Sequence, residues 1–416
     1  MSSPSSADGA LGRTPPAGHR VGVAVLGSTG SIGRQALDVL AREPGFRVVA
    51  LAARSDAATL ADQARRLRPS HVALTGDAAD GRTLELPAGT SRIGGDDALE
   101  TLAALDDVDV VLVATGGIVS LRPVLAALRA GRVVATANKE TLVAGGHLVM
   151  PLARARAADR AAVDPRDPAA TPLAWLRPID SEHSAIWQCL AGESSPSVAR
   201  LVLTASGGPF LEATASELAG VTPAQALRHP TWRMGDKITV DSATLANKGL
   251  EVIEAHWLYD VGYEAIDVIV HPQSIVHSAV LFADGSMKAQ LGTPDMRLPI
   301  QYALTFPSRR PSPAAPPDLV AAGRLDFRAP DEGRFPALRI ARDAGRIGSR
   351  ATTALIAADE VAVTRFLAGD IDFPGIARLL EAAVVRFGGG SDQAPGVAEL
   401  VELHAEVRNA FASGVV

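Results

Sequence analysis

The chain has a single cysteine in 416 residues, Cys189, which rules out an internal disulfide and a thiolate zinc site. Cations are not in surplus either: 40 Lys and Arg stand against 46 Asp and Glu, a net charge of −6. Broad affinity for nucleic acid needs an excess of positive charge and is excluded, although a local basic pocket for one phosphate is not. No apolar run reaches the ~20 residues that span a bilayer. The first twenty residues, rich in Ser, Pro, Gly and Ala, have no apolar signal core. Internal repeats are absent. These absences predict a soluble, cytoplasmic protein with neither nucleic acid nor membrane as partner, and a disordered tail over 1–20. What is present is 47% hydrophobic content with 21% charge, the balance of a globular protein with sizeable cores. The length suits two or three domains, at roughly 100–200 residues each.

From Val21 to about Ala144, short β-branched runs alternate with helical stretches. Val21–Leu26, Arg47–Ala52, His71–Leu74, Val108–Ala114 and Arg132–Thr136 read as buried parallel strands joined by crossover helices. This rhythm predicts an α/β fold with a doubly wound, Rossmann-type amino-terminal domain over 21–172. Residues 154–172 are polar and Ala-rich and read as a surface extension. A mixed α+β region follows over 173–306, with candidate strands at Leu201–Thr204, Ile266–Val270 and Ser274–Phe282. The proline-rich stretch 307–317 opens a linker to 334, and a helical domain occupies 335–416. Within it His404 lies on an apolar stripe and reads as a partly buried packing residue.

The first strand is followed by Gly27-Ser28-Thr29-Gly30-Ser31-Ile32-Gly33 and then directly by a helix. Glycine at these points permits a tight turn, close approach of backbone to a pyrophosphate, and close helix–strand packing. The helix start adds free N–H groups and a positive dipole end. At the end of the second strand, where an acid would hold the ribose 2′-hydroxyl of NAD, stand Ala53, Arg54 and Ser55, with no acid before Asp56. A guanidinium beside a hydroxyl suits a 2′-phosphate and predicts a preference for NADPH. Thr115-Gly116-Gly117 and Asn138-Lys139-Glu140-Thr141 close two further strands at the same sheet edge.

Asp180 and Glu182 stand two residues apart, so an extended backbone points both carboxylates to one side. A cation between them would relieve their repulsion, and oxygen-only ligands favour a hard ion; a solvated turn fits the pair equally. A second cluster, Asp241-Ser242-Ala-Thr244-Leu-Ala-Asn247-Lys248-Gly-Leu-Glu251, concentrates hydroxyl, amide and ammonium groups in an apolar stretch. In a helix Asn247 and Glu251 share a face. Ser242, Asn247 and Lys248 suit a phosphate, Glu251 suits a metal, and Ser206-Gly207-Gly208 offers another phosphate-binding turn. Between these blocks His229-Pro-Thr-Trp232-Arg-Met234-Gly235 reads as a lid that shields a substrate from water.

Taken together, the blocks GSTGSIG, ATGGIVSLRP, ANKETLVAGG, IDSEHSAIWQCL, LTASGGPF, HPTWRMGDKITVDSATLANKGLEVIEA, HPQSIVHS and QLGTPDMRLPI closely resemble the 1-deoxy-D-xylulose 5-phosphate reductoisomerase family, in order from 27 to 300. The resemblance implies a homodimer with an NADPH-binding domain, a catalytic domain that also dimerises, and a carboxyl-terminal helical bundle. It implies metal ligands Asp180, Glu182 and Glu251 for Mn²⁺, Mg²⁺ or Co²⁺. It assigns the substrate to Lys139, Ser181, Glu182, Ser206, His229, Trp232, Ser242, Asn247, Lys248, Glu251 and Met296. Lys139, Glu182, His229, Lys248 and His277 are the implied catalytic groups. On the cofactor side it implies Gly27, Thr29, Gly30, Ser31, Ile32, Ala53, Arg54, Ser55, Asn138, Glu140 and Gly235. Ala53 departs from the glycine of many members, and 154–172 is longer than the usual connection.

The implied chemistry suits these residues. An α-hydroxy ketone phosphate can chelate a divalent ion that stabilises the enolate-like charge of a carbon-skeleton rearrangement. The aldehyde so formed then takes a hydride from NADPH to give 2-C-methyl-D-erythritol 4-phosphate, a step of the non-mevalonate isoprenoid pathway. A different NADP-linked dehydrogenase of a small phosphorylated carbonyl substrate is the alternative. Its usual cysteine nucleophile would have to be Cys189, which lies between apolar neighbours on an apparent helix.

Overall fold

Seven strands between Val21 and Ile93 and between Val110 and Pro178 run parallel to their neighbours, which requires a crossover after each. The computed structural model describes residues 18–76, 84–193, 197–232, 234–390 and 393–413. The chain divides into two compact units. One comprises Met1–Asn138, Leu148–Ser184 and Asp295–Ala314, and the other Lys139–His147, Ala185–Pro294 and Ala315–Val416.

In the first unit the strands are β1 (Val21–Leu26), β2 (Phe46–Ala53), β3 (His71–Leu74), β4 (Ser91–Ile93), β5 (Val110–Val113), β6 (Val133–Thr136) and β7 (Leu176–Pro178). Their order in the sheet is β4-β3-β2-β1-β5-β6-β7. The doubly wound architecture is therefore as expected, and the five predicted strands are all present. β4 and β7 extend it on either side. Every residue of β1, β5 and β6 is buried, which explains their unbroken Val, Ala and Leu runs. Winding direction reverses between β1 and β5, and ligands of open α/β sheets bind at the carboxyl ends of strands flanking such a point. The disordered tail expected over 1–20 lies, up to residue 17, outside the described residues. Arg20 donates to the Pro44 carbonyl at 3.0 Å, beside β2.

The expected surface extension at 154–172 is for its first ten residues the end of the helix Glu140–Val163. Ala and Arg favour helix strongly enough to carry the chain to Val163. Beyond it Asp167 takes Arg160 at 2.5 Å and the Ala169 N–H at 2.7 Å, closing a tight turn.

The second unit holds a four-stranded sheet in the order β11-β10-β8-β9, with β8 (Val198–Ala205), β9 (Ile266–Val270), β10 (Val276–Phe282) and β11 (Met287–Leu291). Its helices Asp236–Thr244 and Ala246–Tyr259 are continuous except for Leu245, whose left-handed backbone (φ 63°) turns one into the other. The carboxyl-terminal helices are Ala337–Ile347, Ser349–Ala368, Phe373–Phe387 and Val397–Phe411. Ser349–Ala368 packs against the other three and is buried on nearly all sides. Its run of alanines permits that close approach. His404 is buried, as its place on the apolar stripe predicts, and lies 3.3 Å from Glu360. No helix among the described residues is long and apolar enough to cross a membrane.

Candidate active site

In the first unit β1 ends in the glycine turn, with Gly27 at φ +87°. At Gly33 a Cβ would lie 2.2 Å from the Gly27 carbonyl oxygen and 2.6 Å from Ser28 Cα, so only glycine lets the helix Ser31–Arg42 sit on the turn. Gly30 and Ser31 are exposed, and no side chain caps this helix, which leaves its first N–H groups available to a phosphate. Sequence reasoning passed over the clamp beneath. Ser28 Oγ donates to Gln63 Oε1 at 2.7 Å and Gln63 Nε2 donates back to the Ser28 carbonyl at 2.9 Å, both buried. At the end of β2, Ala53 is buried while Arg54 and Ser55 are exposed. The Asp56 carboxylate caps the next helix, accepting from the Thr59 N–H at 3.0 Å, and hydrogen bonds with the Thr59 side chain and N–H hold its pKa low. The Asn138 amide donates to the carbonyls of Thr115 at 2.9 Å and Gly117 at 3.0 Å, joining the loops after β5 and β6.

The same unit carries Asp180 and Glu182, and here the extended geometry expected for them gives way. β7 stops at Pro178, and the helix Ser181–Leu190 starts one residue after Asp180. Asp180 Oδ1 accepts from the N–H groups of Glu182 at 3.1 Å and His183 at 3.4 Å, capping the helix start. Ser181 Oγ donates to Glu182 Oε2 at 2.5 Å. His183, which sequence reasoning did not select, is fully buried beside this pair. Arg177 fixes the strand in front: Nε donates to the Ala174 carbonyl and Nη1 to that of Ala303, each at 2.8 Å. Burial pulls its pKa down to about 9. Met296, half-buried, immediately precedes the helix Arg297–Thr305. Cys189 is buried on the helix that follows Asp180, as a packing residue should be.

The second unit gathers the remaining groups. Glu251 is fully buried; its Oε1 accepts from Asn247 Nδ2 at 2.6 Å, one turn away as the spacing predicts, and its Oε2 accepts from Lys248 Nζ. Lys139 Nζ lies 4.0 Å from Oε1. A buried carboxylate is tolerable only with such partners. Ser242 is half-buried near the end of the helix Asp236–Thr244. The Ser206-Gly207-Gly208 turn presses on that helix: Gly208 has φ +67°, and a Cβ there would stand 2.9 Å from Ala243 Cα.

Residues 229–232 form a tight turn around the His229 ring. His229 Nδ1 accepts two backbone N–H groups, from Thr231 at 3.1 Å and Trp232 at 2.9 Å. Neutral imidazole then carries its proton on Nε2, which donates to Ser206 Oγ at 2.9 Å. Burial lowers the His229 pKa. The Trp232 ring stands 6.0 Å from that of His277. His229, Trp232, Ser206 and His277 are thus brought together from three separate stretches of sequence. Glu140 belongs to this unit, and Gly235, exposed, forms the foot of the loop.

A glycine turn at the switch point of a doubly wound sheet, with an exposed arginine at the end of the second strand, places the protein among dinucleotide-dependent oxidoreductases. Family models narrow the class. Those described as 1-deoxy-D-xylulose 5-phosphate reductoisomerase, its C-terminal domain, and DXP reductoisomerase C-terminal domain match residues 23–146, 176–259 and 291–410. A curated 1-deoxy-D-xylulose 5-phosphate reductoisomerase of Symbiobacterium thermophilum is 52% identical over 366 residues, 86% of this chain and 90% of that protein. The fold is also similar to that of the 1-deoxy-D-xylulose 5-phosphate reductoisomerase from Zymomonas mobilis in complex with NADPH. There the TM-score is 0.83 at 36% identity, covering 95% of this chain and 98% of that one. A DOX-P reductoisomerase in complex with NADPH, fosmidomycin and magnesium gives 0.83 at 36% identity, covering 94% and 97%. The chain belongs to the 1-deoxy-D-xylulose 5-phosphate reductoisomerase family and is an NADP-dependent oxidoreductase; the broader dehydrogenase alternative is not favoured.

Proposed function

We propose that this chain rearranges 1-deoxy-D-xylulose 5-phosphate and reduces the product to 2-C-methyl-D-erythritol 4-phosphate, using NADPH and one divalent cation. The observation that carries the reading is the hydrogen-bonded group on the helix Ala246–Tyr259, where Asn247 and Lys248 meet the buried Glu251. A carboxylate, an amide and an ammonium packed together serve a ligand that brings both a metal and a phosphate.

Asp180, Glu182 and Glu251 are the proposed metal ligands. The donor set fits a hard ion: all three offer carboxylate oxygen, and Asp180 and Glu251 are buried. When bound, the ion polarises the substrate's carbonyl and neighbouring hydroxyl, and NADPH supplies the hydride. The protein's own groups do the rest. Ser206, Ser242, Asn247 and Lys248 hold the phosphate and hydroxyls, and Lys139 and Ser181 orient the reacting end. His229, Trp232 and Met234 exclude water, with His277 and Met296 lining the pocket. Binding energy from the phosphate, remote from the reacting carbons, holds the loop closed and aligns them. On the cofactor side Gly27, Thr29, Gly30, Ser31 and Ile32 take the pyrophosphate and ribose, and Ala53, Arg54 and Ser55 the 2′-phosphate. Asn138, Glu140 and Gly235 lie further along the dinucleotide.

We place the active protein in the cytoplasm as a homodimer. β11 is an edge strand whose first residues, Met287–Ala289, are exposed, and an exposed edge favours pairing with another chain. The direct test supplies the purified chain with the ketose phosphate, NADPH and Mg²⁺ and identifies the product by NMR. The branched tetritol phosphate is expected; any other product, or none, would overturn the reading.

A further inference from the structure

The helix Asp236–Thr244 joins the foot of the loop to Ser242, and one ionic cluster holds it in place. Lys237, in its first turn, donates to Asp241 Oδ2 at 2.7 Å and also to Asp359 Oδ2, from 122 residues away in the helix Ser349–Ala368. The Lys237 side chain is 34% exposed, whereas those of Asp241 and Asp359 are only 4% and 2% exposed. One ammonium thus serves two buried carboxylates. Glu360, the next residue, is engaged elsewhere, with His404 at 3.3 Å and Arg408 at 3.6 Å.

We propose that Lys237 is a positioning residue for phosphate recognition, pinning the helix that carries Ser242, and the foot of the 229–235 loop, to the buried helix Ser349–Ala368. The proposal rests on the reading of Ser206, Ser242, Asn247 and Lys248 as the phosphate site. Three contacts make the pin matter there. Asp241 immediately precedes Ser242. The Gly208 backbone abuts Ser242 and Ala243, so a shift of this helix displaces the turn that carries Ser206. At the far end Leu245, in its left-handed conformation, passes the shift to the helix of Asn247, Lys248 and Glu251.

An ion cluster is a poor way to stabilise a helical core, since apolar side chains of similar volume do at least as well. It does impose one rotation and one height on the helix, because both carboxylates must meet the same ammonium. Burial opposes charge on Asp241 and Asp359, and the ammonium is what makes it tolerable. Without Lys237 the two buried carboxyls would lose the donor they share and take up protons instead, and the helix Asp236–Thr244 would lose the rotation and height that the ammonium imposes.

The test uses the full chain and the variants Lys237→Met, Lys237→Arg and Asp359→Asn. Affinity for inorganic phosphate is measured by calorimetric titration, and KM is measured separately for the ketose phosphate and NADPH. Lys237→Met and Asp359→Asn should weaken phosphate binding and raise the ketose phosphate KM about tenfold, leaving the NADPH KM within about twofold, with Lys237→Arg recovering most of the loss. Unchanged phosphate affinity in variants that merely melt earlier would overturn the proposal, as would an equal rise in both KM values. If Lys237→Met does not fold, Asp359→Asn, which keeps the Lys237–Asp241 pair, decides the matter alone. A wild-type chain that binds phosphate but does not turn over the ketose phosphate defeats the proposed function, and the titration still judges the pin. A wild-type chain that does not bind phosphate defeats the pin.

Discussion

His229 reaches Ser206 through Nε2 at 2.9 Å while its other ring nitrogen accepts two N–H groups of its own loop. Only the neutral ring can do both. Protonation would turn Nδ1 into a donor facing the N–H groups of Thr231 and Trp232 and would release the loop.

The pH dependence has a definite sign. Burial depresses the His229 pKa below its ordinary 6.5, so the loop's closed form is fully supported above that value and lost as pH falls through the lowered one. The kcat/KM for the ketose phosphate should carry an acid limb below pH 6.5. His229→Gln should lower activity and remove that limb. An acid limb unchanged in the variant would assign it to another group.

Arg54 stands exposed at the end of β2, where the 2′-phosphate of NADPH is proposed to lie. A charge-assisted hydrogen bond contributes about 1.5–3 kcal/mol, so Arg54→Ala should cut the ratio of kcat/KM for NADPH over NADH by roughly 10–100-fold. A ratio that stays put would mean that Arg54 is a solvated surface charge.

Glu251→Gln keeps the shape of the buried side chain and removes its charge. Even outer contacts of a metal site are worth about 10–100-fold, so loss of this proposed ligand should lower turnover by more than about 100-fold. NADPH affinity, measured by fluorescence titration, should stay near wild type. A large loss of NADPH binding instead would place Glu251 at the cofactor.

Burial, and then the nearness of Asp359, raises the Asp241 pKa to about 8, and burial raises that of Asp359. Lys237 counters both shifts, while Glu140 adds to both and Glu360 to that of Asp359; Glu360 is itself held low by His404 and Arg408. A carboxyl raised on folding stabilises the fold below its unfolded value and loses that contribution as pH rises through its folded one. The window therefore runs from about 4 to about 8, at up to about 1.4 kcal/mol per pH unit for each proton. Asp359→Asn should cost more stability at pH 5 than at pH 8.5, as read by urea unfolding. An equal cost at both would show that the cluster does not titrate in this range.

Much of this molecule is legible in its sequence, and the limits follow from what periodicity can see. β1 is bounded by Arg20 and Gly27 and carries an unbroken apolar run, so its ends are plain. β7, three residues with a fully buried arginine at its centre, has no such signature. β11, a short edge strand rich in polar side chains, is similarly silent. The spacing of Asp180 and Glu182 could not show that a helix begins between them. The meeting of Asn247 with Glu251 was readable because the two are one helical turn apart. The Lys237 cluster was half visible, as Lys237 and Asp241 share that spacing, but Asp359 joins only through the tertiary fold.

In the proposed reaction, carbon-skeleton rearrangement depends on a cation held by Asp180, Glu182 and Glu251 and precedes the hydride transfer. The most direct test follows NADPH oxidation with 1-deoxy-D-xylulose 5-phosphate after exhaustive chelation and again after adding Mg²⁺ or Mn²⁺. No oxidation is expected without the ion, and full recovery with it. Turnover that persists in the stripped protein would contradict this dependence.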